Sequence, residues 1–111
     1  MSSQDFHKLE LIVQMIGHLR RRLQPISLRA FVGDIDEIDL TSFRLAVIGE
    51  LTSKLSVDLK SRHPHIDWPS IYAMRNIIVH DYGAIEPERL WAVFMKNIAS
   101  LADVCRKELG D

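Results

Sequence analysis

The residues best suited to chemistry lie together in Met74-Arg75-Asn76-Ile77-Ile78-Val79-His80-Asp81-Tyr82. Arginine carries a permanent planar cation whose paired donors match phosphate oxygens. Histidine exchanges a proton near neutral pH, and tyrosine offers a hydroxyl. An RNA strand can be cut without a metal when its own 2′-hydroxyl attacks the adjacent phosphorus and leaves a cyclic phosphate. That reaction needs a base for the 2′-hydroxyl, an acid for the leaving 5′-oxygen and a cation for the developing charge. His80 suits either proton role and Arg75 suits the third. One imidazole does not easily serve both sides of an in-line displacement. A symmetric dimer that brings two Arg75 and two His80 side chains to one cleft would solve this. An arginine and a histidine at a helix end can equally bind carboxylates and cap carbonyls, so the stretch is compatible with RNA cleavage without proving it.

At about 100° per residue, a helix over 71–82 places Ile71, Met74, Ile77 and Ile78 on one arc. Tyr72, Ala73, Arg75, Asn76, Val79 and His80 fall on the other. Continuing it would drive Asp81 into the apolar arc, where an unpaired carboxylate is costly. The helix is therefore predicted to end near His80, with Gly83 as the residue after its cap. Asn76 and His80 are four apart on one face, so the amide can steer the imidazole.

The elements around this stretch are also helical. Phe6, Leu9, Val13, Ile16, Leu19 and Leu23 recur at threes and fours, predicting a first helix capped by Ser2 or Ser3 and stopped by Pro25. Arg20-Arg21-Arg22 complements the carboxyl end of its dipole. Residues 24–38 read as a connection with a short helical turn at 27–31. Asp39 is expected to cap a second helix with the stripe Phe43, Val47, Leu51, Leu55 and Leu59. Gly49 inside it costs about 1 kcal/mol relative to alanine, which implies close approach of another backbone. Its neighbour Glu50 is either a surface carboxylate or an acid that orients a site residue on an adjacent helix. His63 and His65 lack clustered ligands and read as a solvated loop rather than a metal site. Asp67-Trp68-Pro69 opens the third helix. The fourth runs from Glu86-Pro87 to Leu109 with Trp91, Phe94, Ile98, Leu101 and Cys105 inward, ending at Gly110.

No segment has strand periodicity. An all-α antiparallel bundle of four main helices is expected, forming one domain over 1–111. A 111-residue chain leaves much of its surface uncovered, so long amphipathic helices have apolar area to spare for a second copy. A net charge of −1 rules out a polycation that coats nucleic acid along its whole surface; any RNA contact is local. The single cysteine, Cys105, forms no internal disulfide and reads as a packing residue. The first residues carry no basic region followed by an apolar run, and no apolar run approaches the ~20 residues needed to cross a bilayer. A soluble cytoplasmic protein is expected.

Arg75, four residues, His80, one residue, Tyr82 resembles the R-x4-H-x-Y pattern of HepT-type HEPN toxins. Arg44 with Ile48-Gly49-Glu50 is similar to that family's R…IGE segment. His63-Pro64-His65-Ile66-Asp67-Trp68 resembles its approach to the third helix, and Met74-Arg75-Asn76 with Val79-His80-Asp81-Tyr82 its core motif. The likeness covers roughly residues 5–105. It implies a HEPN-like helical homodimer acting as a metal-independent ribonuclease, with no cofactor, that cleaves mRNA or tRNA as the toxin of a toxin–antitoxin system. It also implies an antitoxin, a small MntA-type nucleotidyltransferase that uses ATP to add AMP to the motif tyrosine, in a homodimer or higher assembly. Carried over, Arg75 and His80 are catalytic and Tyr82 is the AMP acceptor. Asn76, Glu50 and Arg44 support the site. Gly83-Ala84 after the tyrosine and Leu45 after Arg44 depart from the family pattern. The competing reading is a non-catalytic helical module that binds a nucleotide or a nucleotidyltransferase.

Overall fold

The computed structural model describes residues 1–110. Helix α1 spans Ser3–Leu23, begun by Ser2, whose Oγ accepts from the Asp5 amide at 3.0 Å. Its inner face is Leu9, Ile12, Ile16, Leu19 and Leu23. Phe6 and Val13, expected inside, lie on the exposed flank, with Val13 43% exposed. The two helices packed on α1 share the narrower stripe through Ile12, and that displaces the other two residues.

Helix α2, Leu28–Val32, is capped by Ser27 and seats Phe31 in the core, its ring 5.3 Å from that of Trp91. Helix α3 spans Ile35–Ser53, so its cap is Asp34, not Asp39. Asp34 Oδ1 accepts from the Glu37 amide at 3.2 Å. Asp36 and Glu37 occupy the first turn, where negative charge suits the helix dipole. The acidic stretch expected in a loop is therefore the start of the helix.

The buried face of α3 is Ile38, Thr41, Ser42, Leu45, Ile48, Gly49 and Thr52, while Phe43 is 62% exposed. A stripe drawn through large apolar residues misses this face because hydroxyl residues on it satisfy themselves. Ser42 Oγ donates to Ile38 O at 2.8 Å and Thr52 Oγ1 to Gly49 O at 2.9 Å. The helix also stops before Leu55. A separate α4, Val57–Ser61, starts at Ser56, and Leu55 and Leu59 enter the core from the break and the new helix.

Buried Asp5 explains the break: Ser56 donates to it through its amide at 2.9 Å and through its hydroxyl at 2.6 Å. Burial opposes ionisation of Asp5. The Ser56 and Ser2 hydrogen bonds and the Lys8 charge outweigh it and hold the carboxyl below its ordinary range.

His63 is 8% exposed rather than solvated. Its Nε2 lies 2.5 Å from Glu108 Oε2, and Arg62 Nη2 lies 2.7 Å from Glu108 Oε1. This ties the 61–67 connection to the last helix. Helix α5, Trp68–His80, is capped by Asp67 with Pro69 in its first turn. It ends at His80, as the position of Asp81 requires. Gly83 takes no positive φ; it lies in a 3-10 turn, Tyr82–Ala84, that carries the chain out of the helix.

Helix α6, Pro87–Ala92, continues through a π turn, Val93–Ile98, into α7, Ala99–Leu109, closed by Gly110 at φ 89°. The π turn was not foreseen. The stripe it interrupts holds, with Phe94, Ile98, Leu101 and Cys105 buried. Burial pushes the Cys105 thiol up to about 12, as suits a packing residue. Among the described residues no helix is long and apolar enough to cross a membrane.

The contacts fix an antiparallel bundle. Asp5 meets Ser56 and Arg22 meets Glu37, so α1 opposes α3. Gly49 meets Ile71 and Arg75 while Asp39 meets Tyr82, so α3 opposes α5.

Replacing Asp5 by alanine leaves the Ser56 amide and hydroxyl without their partner and is expected to cost about 1–3 kcal/mol in urea unfolding. Because the folded-state pKa of Asp5 is depressed, its ionised form contributes stability above the unfolded pKa. That contribution is lost as pH falls through the folded value. Asp5→Asn should therefore flatten the loss of stability expected of the wild type below about pH 4, as read by urea unfolding across that range.

Candidate active site

Helices α3 and α5 approach closely because α3 carries Gly49. A Cβ there would lie 2.5 Å from Arg75 Cβ and 3.2 Å from Ile71 O. The missing side chain lets the base of Arg75 lie directly against α3. Glu50, the next residue, then reaches the guanidinium: Arg75 Nη2 lies 2.9 Å from Glu50 Oε2. Arg75 Nη1 donates to Asn76 Oδ1 at 2.9 Å, and its Cζ stands 5.5 Å from the Tyr72 ring centroid. Lys54 Nζ lies 3.2 Å from the other oxygen of Glu50. The carboxylate thus bridges two cations, and with Asn76 it holds the guanidinium in place.

Asn76 Oδ1 accepts from Arg75, which leaves the Asn76 NH2 group as the part of the amide able to face His80; among the described residues no hydrogen bond joins the two. His80 ends α5 with an exposed side chain. It follows Arg75 by five residues, about 140° around the helix and ~7.5 Å along it. Arg75 is set against α3, whereas His80 stands free at the carboxyl end. Arg44 takes a different direction from the rest. Its Nη1 donates to His18 O on α1 at 3.3 Å, and burial with the charges of Arg21 and Arg22 lowers its pKa. Arg44 joins α3 to α1 and makes no bond to Arg75 or Glu50.

Tyr82 is 47% exposed, and its hydroxyl donates to the Asp39 carboxylate. This bond, with burial and the charge of Asp39, raises the tyrosine pKa. Asp39 is the residue that sequence reasoning missed, having been assigned as a helix cap. A usable signal existed. Once Gly49 is set opposite Arg75 in an antiparallel pair, moving back along α3 and forward along α5 brings Asp39 to the residues after His80. Among the described residues no group of three His, Cys, Asp or Glu side chains gathers to hold a metal.

The family model described as ribonuclease HepT-like matches residues 12–108, which include Glu50, Arg75, His80 and Tyr82. The chain belongs to the HepT-like family of ribonucleases. Its relatives include the "probable ribonuclease HepT" of Thermococcus cleftensis, 33% identical over 93 residues, or 84% of each chain. A provisionally named RNase of Caldanaerobacter subterraneus subsp. tengcongensis is 29% identical over 93 residues, 84% of this chain and 83% of the relative. Another provisionally named RNase, from Methanocaldococcus jannaschii, is 26% identical over 57 residues, covering 51% of this chain and 52% of its own. No solved structure matches. The HepT-like chain carries the family's helical fold, and its α3–α5 pair seats Arg75 beside Gly49 and Glu50 while Tyr82 reaches Asp39 nearer the start of α3.

Asp39→Asn should lower the midpoint of the Tyr82 phenol titration toward 10, read by ultraviolet absorbance against a Tyr82→Phe reference that isolates Tyr72. An unchanged midpoint would show that the carboxylate does not hold the hydroxyl in solution.

Proposed function

We propose that this HepT-like chain is a cytoplasmic toxin endoribonuclease that cuts mRNA or tRNA without a metal, using Arg75 and His80 from two copies in a homodimer. The observation that carries this reading is the mounting of Arg75. Its guanidinium is held by Glu50 and Asn76 next to an exposed α5 face bearing Tyr72, Val79 and His80. A cation fixed in advance on a rigid helix pair stabilises developing phosphoryl charge with little reorganisation.

One copy's His80 accepts the proton of the 2′-hydroxyl as its oxygen bonds to phosphorus. The second copy's His80 donates a proton to the 5′-oxygen as the P–O5′ bond breaks. Arg75 balances charge on the non-bridging oxygens. The products are a cyclic phosphate and a free 5′-hydroxyl. Exposed Tyr72 and Val79 give the facing copies apolar area beside the histidines.

Regulation follows at Tyr82. An MntA-type nucleotidyltransferase antitoxin joins the tyrosine oxygen to the α-phosphorus of ATP and pyrophosphate leaves. The Asp39 carboxylate, which already accepts this hydroxyl's hydrogen bond, takes the proton. The added AMP carries phosphate and base to the mouth of the cleft, where it competes with RNA for Arg75.

One observation favours the second reading, a non-catalytic module for binding a nucleotide or the nucleotidyltransferase: Glu50 already neutralises Arg75, as in an ion pair that serves only structure. The two readings separate in one assay. Under the ribonuclease reading, the purified protein cleaves RNA in EDTA, His80→Ala lowers the rate by about 100-fold or more, and expression of His80→Ala no longer arrests growth. A folded His80→Ala protein with wild-type cleavage and toxicity would sink it. Intact-mass measurement after incubation with the nucleotidyltransferase and ATP should show AMP adducts on the wild type and none on Tyr82→Phe.

A further inference from the structure

Two glycines lie inside long helices of this chain, and only one is explained by its own fold. Gly49 admits Arg75 and Ile71. Gly17, in the middle of α1, is different: a Cβ built there meets no atom within 4 Å. Nothing inside the molecule requires the omission of a side chain at this position, which weakens the helix. Gly17 is exposed and lines a cavity of about 220 Å³ between α1 and α7, with Val13, Ile16, Arg20, Ala102 and Arg106. A second cavity of about 180 Å³ continues it from Arg20 along the π turn, over Phe94, Met95 and Ile98.

The two cavities form one groove. Along α1 its edge residues are Val13, Gly17, Arg20 and Gln24; along the facing helix they are Met95, Ala99, Ala102 and Arg106. Both sets run at spacings of four, three and four, so each helix offers one continuous face about three turns long. Met95 is 59% exposed on this groove. We propose that the groove seats a helix of another protein, one that turns small apolar residues toward Gly17 and carboxylates toward Arg20 and Arg106.

The charges select this occupant. Arg20 and Arg106 both line the cavity at Gly17, and among the described residues the only acid bonded to either is Asp103, which takes Arg106. A second copy laid across the groove about a two-fold axis at Gly17 would bring both arginines of each copy together. RNA would supply phosphate for the arginines but would leave an apolar floor of Ile16, Phe94 and Ile98 against its backbone. An amphipathic helix with an acidic rim satisfies floor and rim together. None of the residues assigned to cleavage or modification lines this groove, so the inference does not rest on the ribonuclease reading.

The test uses the full-length protein and a synthetic helix of about four turns, with alanine and leucine on its contact face and glutamates on its rim, followed by amide chemical shifts. The peptide is expected to shift Gly17, Arg20, Ala102 and Arg106 and to bind Gly17→Leu about 10-fold more weakly or worse. A peptide with lysine for glutamate should not bind. Gly17→Leu should also melt about 4 °C or more above wild type, because it removes a helical glycine at a position where a Cβ meets nothing within 4 Å. If that variant misfolds, Arg20→Glu with Arg106→Glu replaces it and should reverse the preference between the two peptides.

The proposal is overturned by the absence of binding at about 1 mM peptide, by equal binding to Gly17→Leu, or by displacement of the peptide by single-stranded RNA. It is overturned equally if Gly17→Leu converts a self-associated wild type to a smaller species, which would make a second copy the occupant.

Discussion

The close approach of α3 and α5 at Gly49 is the constraint on which the site depends. A side chain there would occupy the volume of Arg75 Cβ, so the helices would separate or Arg75 would turn away. Either movement breaks the 2.9 Å pairing of Arg75 with Glu50. The glycine weakens α3 locally by about 1 kcal/mol. That cost is offset where the helices touch, since Ile48, Ile71 and Met74 are buried in the same core. Overpacking at this crossing would disturb fold and site together.

The same helix pair also explains why the motif residues of one chain are spread apart. Arg75 lies against α3 and His80 stands at the free end, separated by the helical rotation between them. Tyr82 is drawn instead to Asp39 at the amino-terminal end of α3. The motif that is contiguous in sequence is therefore distributed over three directions: inward for Arg75, outward for His80 and sideways for Tyr82. A cleft using two copies of the outward face reunites the cation with a pair of imidazoles, which is the physical basis of the proposed dimer.

Much of this was legible in the sequence because local signals agreed. Asp67 and Pro69 fixed the start of α5, and the place Asp81 would have taken in the core fixed its end. Gly49 announced a close crossing, and the motif identified the family. What was not legible depended on tertiary partners or on polar residues with apolar roles. Asp34 rather than Asp39 starts α3, since two acids in a first turn serve a helix as well as they serve a loop. Ser42 and Thr52 hide the true inner face of α3 by bonding their own backbone. The end of α3 is set by Asp5, 51 residues from its partner Ser56, and no local pattern reports that. Arg44 follows the family pattern in sequence, yet burial beside α1 decides where it points.

The central claim is that Arg75 and His80 act together across two copies. The most direct measurement mixes wild-type and His80→Ala proteins under conditions that exchange subunits and follows RNA cleavage in EDTA. A mixed dimer keeps one His80 and lacks either the base or the acid, so the account predicts that it is nearly as inactive as the His80→Ala parent and that cleavage falls with the square of the wild-type fraction. Cleavage that falls in direct proportion to that fraction, or wild-type cleavage by the His80→Ala parent alone, would contradict it.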